Sequence, residues 1–136
     1  DFQSSILNRK NLLMLTDYRC DGLIIATPAG STAYSLAAGG AVVIPRAEVL
    51  TINPICPQAL SNRPLIVSFT STIEITILKH RAQTYLSADG QMQAELTTKD
   101  TIRVQRSRTK ARLIRLEGNS FFETLRHKLN WAGSHA

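Results

Sequence analysis

Between Asp21 and Gly40 the chain reads DGLIIATPAGSTAYSLAAGG, and this stretch gathers the side chains best suited to holding a ligand. Thr27, Ser31, Thr32 and Ser35 supply hydroxyls that donate or accept, and Asp21 supplies an acceptor suited to an amide or exocyclic amine. Tyr34 supplies a ring able to stack on a flat base. Leu23 to Ala26 is a short, fully apolar run, which predicts a buried strand. Thr27-Pro28-Ala29-Gly30 stops it, because Pro removes a ladder donor and Gly frees the backbone. Ser31 or Thr32 is expected to cap a short helix through Ala38, with Gly39-Gly40 ending it. A strand feeding a Gly-containing loop that opens a helix aims backbone N–H groups and the positive helix end into one concavity. These are the parts of a nucleotide or dinucleotide site. The same spacing also suits a plain strand–turn–helix corner with satisfied caps. It is not a P-loop, since no Lys follows the glycines, nor a Rossmann fingerprint, nor a G-x-S-x-G nucleophile elbow.

The elements that must position these residues are short. Ser4 to Asn8 and Leu12 to Tyr18 are apolar-rich runs, and Asn8-Arg9-Lys10-Asn11 between them has the polarity of a hairpin turn. Ala41 to Ile44, Val49 to Ile55, Leu65 to Phe69 and Thr72 to Leu78 follow. The last alternates Ile73, Ile75 and Ile77 with Thr72, Glu74 and Thr76, the period of a strand with one wet face. Thr84 to Ser87, Met92 to Leu96, Thr101 to Arg106 and Ala111 to Leu116 come at regular spacing. Many short strands between Pro, Gly and Asn turns predict a mainly β, two-sheet, β-sandwich-like domain. The tail differs. Ser120 with Glu123 three residues on is a capping-box pattern, and Leu125 and Leu129 continue one face of a helix running to about Asn130.

The 136 residues fit one domain, and at 43% apolar they can bury a core. Aromatics are only 6%, so that core must lean on Ile, Leu, Val and Ala. No run of about 18 apolar residues appears, which excludes a helical membrane span. The N-terminus lacks a signal-peptide pattern and an initiator Met, and it starts almost inside a strand; we expect a piece of a longer cytoplasmic protein. Cys20 and Cys56 match no metal or disulfide spacing and are expected to be free, buried thiols. The net charge of +6 permits polyanionic partners without choosing among them. Arg103, Arg106, Arg108, Lys110, Arg112 and Arg115 crowd one expected hairpin, so a nucleic-acid-binding β-domain is a rival reading. Against it, the run lacks interleaved aromatics for base stacking, and a solvated hairpin face explains it as well.

The stretch Asp21 to Gly40 resembles the long signature of NAD kinases. Three further blocks extend the likeness in family order: Asn53-Pro54-Ile55-Cys56-Pro57-Gln58-Ala59-Leu60-Ser61-Asn62-Arg63-Pro64-Leu65, then Ser87-Ala88-Asp89-Gly90-Gln91, then Phe121-Phe122-Glu123-Thr124-Leu125 through Lys128-Leu129-Asn130-Trp131. The resemblance implies transfer of phosphate from ATP or polyphosphate to the 2′-hydroxyl of the adenosine ribose of NAD, with a divalent metal such as Mg2+. It implies a β-rich NAD-binding domain over residues 1–119, and a C-terminal helix and tail over 120–136 that packs toward an N-terminal α/β domain. It implies NAD contacts at Arg19, Asp21, Thr32, Ala33, Tyr34, Ser35, Leu36, Ala37 and Gln91, those of Arg19 and Asp21 partly across a subunit boundary. It also implies a homodimer or homotetramer assembled through the β domain. The sequence departs from the family at Ala29, where many members carry Thr or Ser. Neither the Gly-Gly-Asp-Gly motif that carries the family's general base nor its Asn-Glu or Asn-Asp pair occurs in these residues. The expectation is therefore a binding half, inactive alone.

Overall fold

In the computed structural model, residues 1–8, 11–79, 83–114, 118 and 120–131 are described. Nine strands occur among them: β1 (Phe2–Asn8), β2 (Asn11–Tyr18), β3 (Gly22–Ala26), β4 (Val49–Ile55), β5 (Leu65–Ser68), β6 (Thr72–Ile77), β7 (Thr84–Ala88), β8 (Gln91–Leu96) and β9 (Thr101–Val104). Two helices accompany them, α1 (Tyr34–Ala37) and α2 (Phe121–Leu129), with a 3-10 turn at Gly30–Thr32. The chain divides into two compact units, Asp1–Arg106 and Ser107–Ala136.

The first unit holds all the strands, and every pairing is antiparallel. One sheet has the order β2-β1-β6-β9, a second β3-β4-β5, and β7-β8 stands as a two-stranded hairpin. Asn8 pairs with Asn11, the register of a tight connection between β1 and β2. Arg9 and Lys10 of the expected turn lie outside the described residues. The two larger sheets share one apolar cluster: Tyr18, Ile73 and Ile75 from the first, Leu50, Ile52 and Val67 from the second. The alternation in β6 sends Ile73, Ile75 and Ile77 inward, as the sequence predicts. The mainly β, two-sheet expectation holds, and the β7–β8 hairpin is an addition to it.

Strand β4 is buried along both faces. Leu50 and Ile52 face the core, while Thr51 and Asn53, on the opposite side, are buried polar residues. Buried polar groups need hydrogen-bond partners, and Thr51 Oγ1 and Asn53 Nδ2 find them at the end of β3 and in α1. Thr51 Oγ1 donates to the Ala26 carbonyl at 3.4 Å, and Asn53 Nδ2 donates to the Ser35 carbonyl at 2.8 Å. The candidate ligand stretch is thus moored on the polar back of the central strand.

Three local expectations need correction. Ala41 to Ile44 forms no strand, because the Val43 N–H donates to Ser31 Oγ at 2.9 Å instead of to a neighbouring ladder, and Pro45 follows. Residues 111–114 form no strand either, so the basic hairpin over 103–115 is absent among the described residues; Arg115 and Leu116 lie outside them. The third concerns α2. Ser120 stands at its N-cap with extended backbone but makes no side-chain cap bond, although its carbonyl accepts from Thr124 N at 3.1 Å. The helix exits through Asn130 in the left-handed conformation, at the position the sequence suggests.

Candidate functional site

β3 ends at Ala26, and the chain turns sharply over Thr27 to Gly30. Ser31 is the pin of this corner. Its buried Oγ donates to the Pro28 carbonyl at 2.7 Å and accepts from Val43 N at 2.9 Å. The loop consumes much of its own backbone capacity. Gly30 N donates to Thr27 Oγ1, Ser31 N to the Thr27 carbonyl, and Ala33 N to the Gly30 carbonyl. Contrary to the sequence expectation, neither Ser31 nor Thr32 caps the helix; the Thr32 hydroxyl turns back to the Ala29 carbonyl at 3.2 Å, and Ala33 occupies the N-cap. α1 is a single turn, so few peptide dipoles align and its pull on an anion is weak. The corner offers a shaped surface more than a cradle of free N–H groups.

That surface is well defined. Thr32, Ala33, Tyr34 and Ala37 are exposed, Leu36 is half-buried and Ser35 is buried. The Tyr34 ring is 63% exposed, unusual for an aromatic and suited to stacking on a planar group. Gly39, with φ of +82°, takes the chain out of the turn in the left-handed region that favours glycine. Gly40 N then donates to the Ser35 carbonyl at 2.8 Å.

Arg19 and Asp21 stand at the other end of β3. The Asp21 N–H donates to the Ile55 carbonyl at 2.9 Å, and Gln58 N donates to the Arg19 carbonyl at 2.8 Å, so this segment is tied to the end of β4. A surface concavity there is lined by Arg19, Cys20, Asp21, Gln58, Gln83 and Thr84, among others. Burial pushes the Cys20 thiol up from its ordinary value, and its Sγ donates to the Gly22 carbonyl at 3.1 Å. Cys56, expected to be buried, is exposed, because β4 ends at Ile55 and Cys56 turns into the left-handed region with φ of +47°. Arg19 and Asp21 thus stand before β3 and the Tyr34 corner follows it, while α1 lies back beside the strand: the Ser35 carbonyl is held by Asn53, which pairs with Ile24 in the middle of β3. Gln91 belongs to the start of β8, where it is exposed beside the tight turn at Asp89 and Gly90. Both turn residues have positive φ, 49° and 80°, the geometry of the tightest hairpins.

Gln58 escaped the sequence reading as a site candidate. Its position within the Asn53 to Leu65 block was the available signal. Of the basic run, Arg103 pairs with Glu74 at 2.6 Å across β6 and β9, and Arg106 lies 5.3 Å over the Phe69 ring and 3.7 Å from Glu48. These two cations are engaged within their own unit. Among the described residues no three His, Cys, Asp or Glu side chains come together as a metal site.

An antiparallel two-sheet β domain with a strand–loop–helix corner under an exposed Tyr is thus defined. Residues 10–116 match the ATP-NAD kinase C-terminal domain family, and the chain belongs to that family. It is 45% identical over 117 residues to an NAD kinase of Geobacter metallireducens, covering 86% of this chain and 41% of that protein. It is 47% identical over 120 residues to an NAD kinase of Moorella thermoacetica, covering 88% and 39%. Among solved structures it is similar to yeast NADH kinase complexed with NADH, with a TM-score of 0.66, 41% identity, and coverage of 76% of this chain and 29% of that one. An NAD kinase from Archaeoglobus fulgidus in complex with ATP gives a TM-score of 0.61 at 31% identity, covering 79% and 40%. The chain spans about two fifths of the length of the curated relatives it matches.

Proposed function

We propose that this chain is the NAD-holding half of an NAD kinase, an enzyme that phosphorylates the 2′-hydroxyl of the adenosine ribose of NAD to give NADP. The observation that carries the reading is the Thr27–Gly40 corner. It presents Thr32, Ala33 and the 63% exposed Tyr34 ring on a turn anchored from below by Ser31 and Asn53. The family membership and the NADH and ATP bound to the similar structures support the same substrates here. ATP or polyphosphate serves as donor, with a divalent metal held by residues beyond this chain.

The chain's own part is to bind and orient. Tyr34 stacks on the base, Thr32 and Ala33 contact the adenine edge, and Leu36 and Ala37 flank the dinucleotide. Arg19 and Asp21, just before β3, contact NAD partly across a subunit boundary in a homodimer or homotetramer. Gln91 approaches the ligand from its hairpin. The general base lies in an N-terminal α/β domain. Residues 1–119 form the NAD-binding part, and the C-terminal helix and tail of 120–136 pack toward that other domain; exposed Phe122 and Trp131 on or just after α2 support such packing. The enzyme works in the cytoplasm, and no helix of the described residues is long and apolar enough to cross a membrane. Nothing in the geometry favours nucleic-acid binding.

The test is Tyr34→Ala in the full-length kinase carrying this chain. The ring is exposed, so folding should be retained. Loss of one stacking contact predicts a rise in KM for NAD of about tenfold, with the KM for the phosphoryl donor within about twofold of wild type. An unaltered KM for NAD would count against the site.

A further inference from the structure

Beneath the exposed corner lies a buried polar joint that the contacts above do not require. Asn53, 1% exposed on the back of β4, donates through Nδ2 to the Ser35 carbonyl at 2.8 Å. The same oxygen accepts the Gly40 N–H at 2.8 Å. One carbonyl thus takes donors from the central strand and from the far end of the loop, filling both lone pairs. Ser35, also 1% exposed, turns its hydroxyl inward. The packing around Gly40 is closed: a Cβ there would lie 2.5 Å from Ser35 Oγ, 2.6 Å from the Ser35 carbonyl and 2.7 Å from Asn53 Nδ2. Only glycine allows this approach.

We propose that Asn53 is a positioning residue for NAD binding. By fixing the Ser35 carbonyl it fixes the orientation of α1, and with it the direction of the Tyr34 ring. The proposal rests on the reading of the corner as the NAD site. Two physical arguments carry it. α1 has only four residues, and a single turn cannot sustain itself, so its orientation must come from tertiary ties. The second argument concerns cost. Asn53 Oδ1 and Ser35 Oγ are buried with no hydrogen-bond partner among the described residues, an arrangement that costs stability. A joint needed for packing alone is served better by an apolar side chain. What an amide adds is direction, because a hydrogen bond aligns one particular peptide.

The experiment compares Asn53→Leu and Asn53→Thr with wild type in the full-length kinase, with KM measured separately for NAD and for the phosphoryl donor. Asn53→Leu keeps the bulk and removes the donor; Asn53→Thr keeps a donor. The expected result is a rise in the KM for NAD of about tenfold in Asn53→Leu, the weight of one lost hydrogen bond, with kcat and the donor KM within about twofold. Asn53→Thr should recover most of the loss. Should Asn53→Leu fail to fold, Asn53→Ala, which demands no repacking, takes its place with the same expectation. The proposal is overturned by a KM for NAD equal to wild type, by both KM values rising together, or by Asn53→Thr being as impaired as Asn53→Leu. Failure of the NAD kinase reading shows in the wild type, as absence of NADP. Failure of the Asn53 proposal shows only in the ratio of variant to wild type.

Discussion

Exposure and ease of ionisation set the reactivity of a thiol. Cys56 is exposed, while Cys20 is half-buried, bonded to the Gly22 carbonyl, and its thiol is pushed up by burial. A smaller thiolate fraction and poorer access act in the same direction. At pH 7.5, iodoacetamide should therefore modify Cys56 at least about tenfold faster than Cys20, as followed by peptide mass spectrometry. Faster modification of Cys20 would contradict the structure. The sequence suggested two buried thiols, and only partial burial of one was found. Apolar neighbours such as Ile52 and Ile55 reveal a strand but not its last residue, and the left-handed turn at Cys56 is set by tertiary context. Ser35 teaches the same lesson. A hydroxyl in a ligand-rich motif was legible; that the carbonyl of the same residue accepts from Asn53 was not, because that partner lies 18 residues away.

At the scale of elements, the strands were read well wherever alternation or a short apolar run was bounded by turn residues. β6 is the clearest case. The failures share one cause: a strand needs a partner, and sequence pattern does not show whether one is available. Val43 N bonds to the Ser31 hydroxyl, and residues 111–114 join no ladder, leaving Leu113 and Ile114 82% and 94% exposed. The end of β2 and the residues after it make a pH prediction. Tyr18, buried against the core, and Cys20 are both pushed up by burial, so the folded state holds their protons more tightly than the unfolded chain. Their contribution to stability is complete below the unfolded pKa values. It falls away as pH rises from about 9 through the raised folded values. Thermal unfolding of the full-length protein between pH 8 and 11 should show a Tm that declines above about pH 9, and Tyr18→Phe with Cys20→Ser should flatten the decline. An identical slope in the double variant would remove these groups as the cause.

At the scale of the whole molecule, the chain is a family domain covering about two fifths of its relatives, organised as a β unit to Arg106 and a second unit beyond it. The domain was legible because a long motif, three later blocks and their order survive together. The return of α1 onto the middle of β3 and β4 was not legible, since the tie between Ser35 and Asn53 joins residues 18 apart. The central claim is that these residues bind and orient NAD while the chemistry belongs to another domain. It is tested most directly by exchanging this chain for the matching segment of the Geobacter metallireducens NAD kinase and measuring NADP formation from NAD and ATP. The account predicts that the exchanged enzyme makes NADP, that the isolated chain makes none, and that Tyr34→Ala in the exchanged enzyme raises the KM for NAD. NADP formation by the isolated chain, or a folded exchanged enzyme unable to bind NAD, would contradict it.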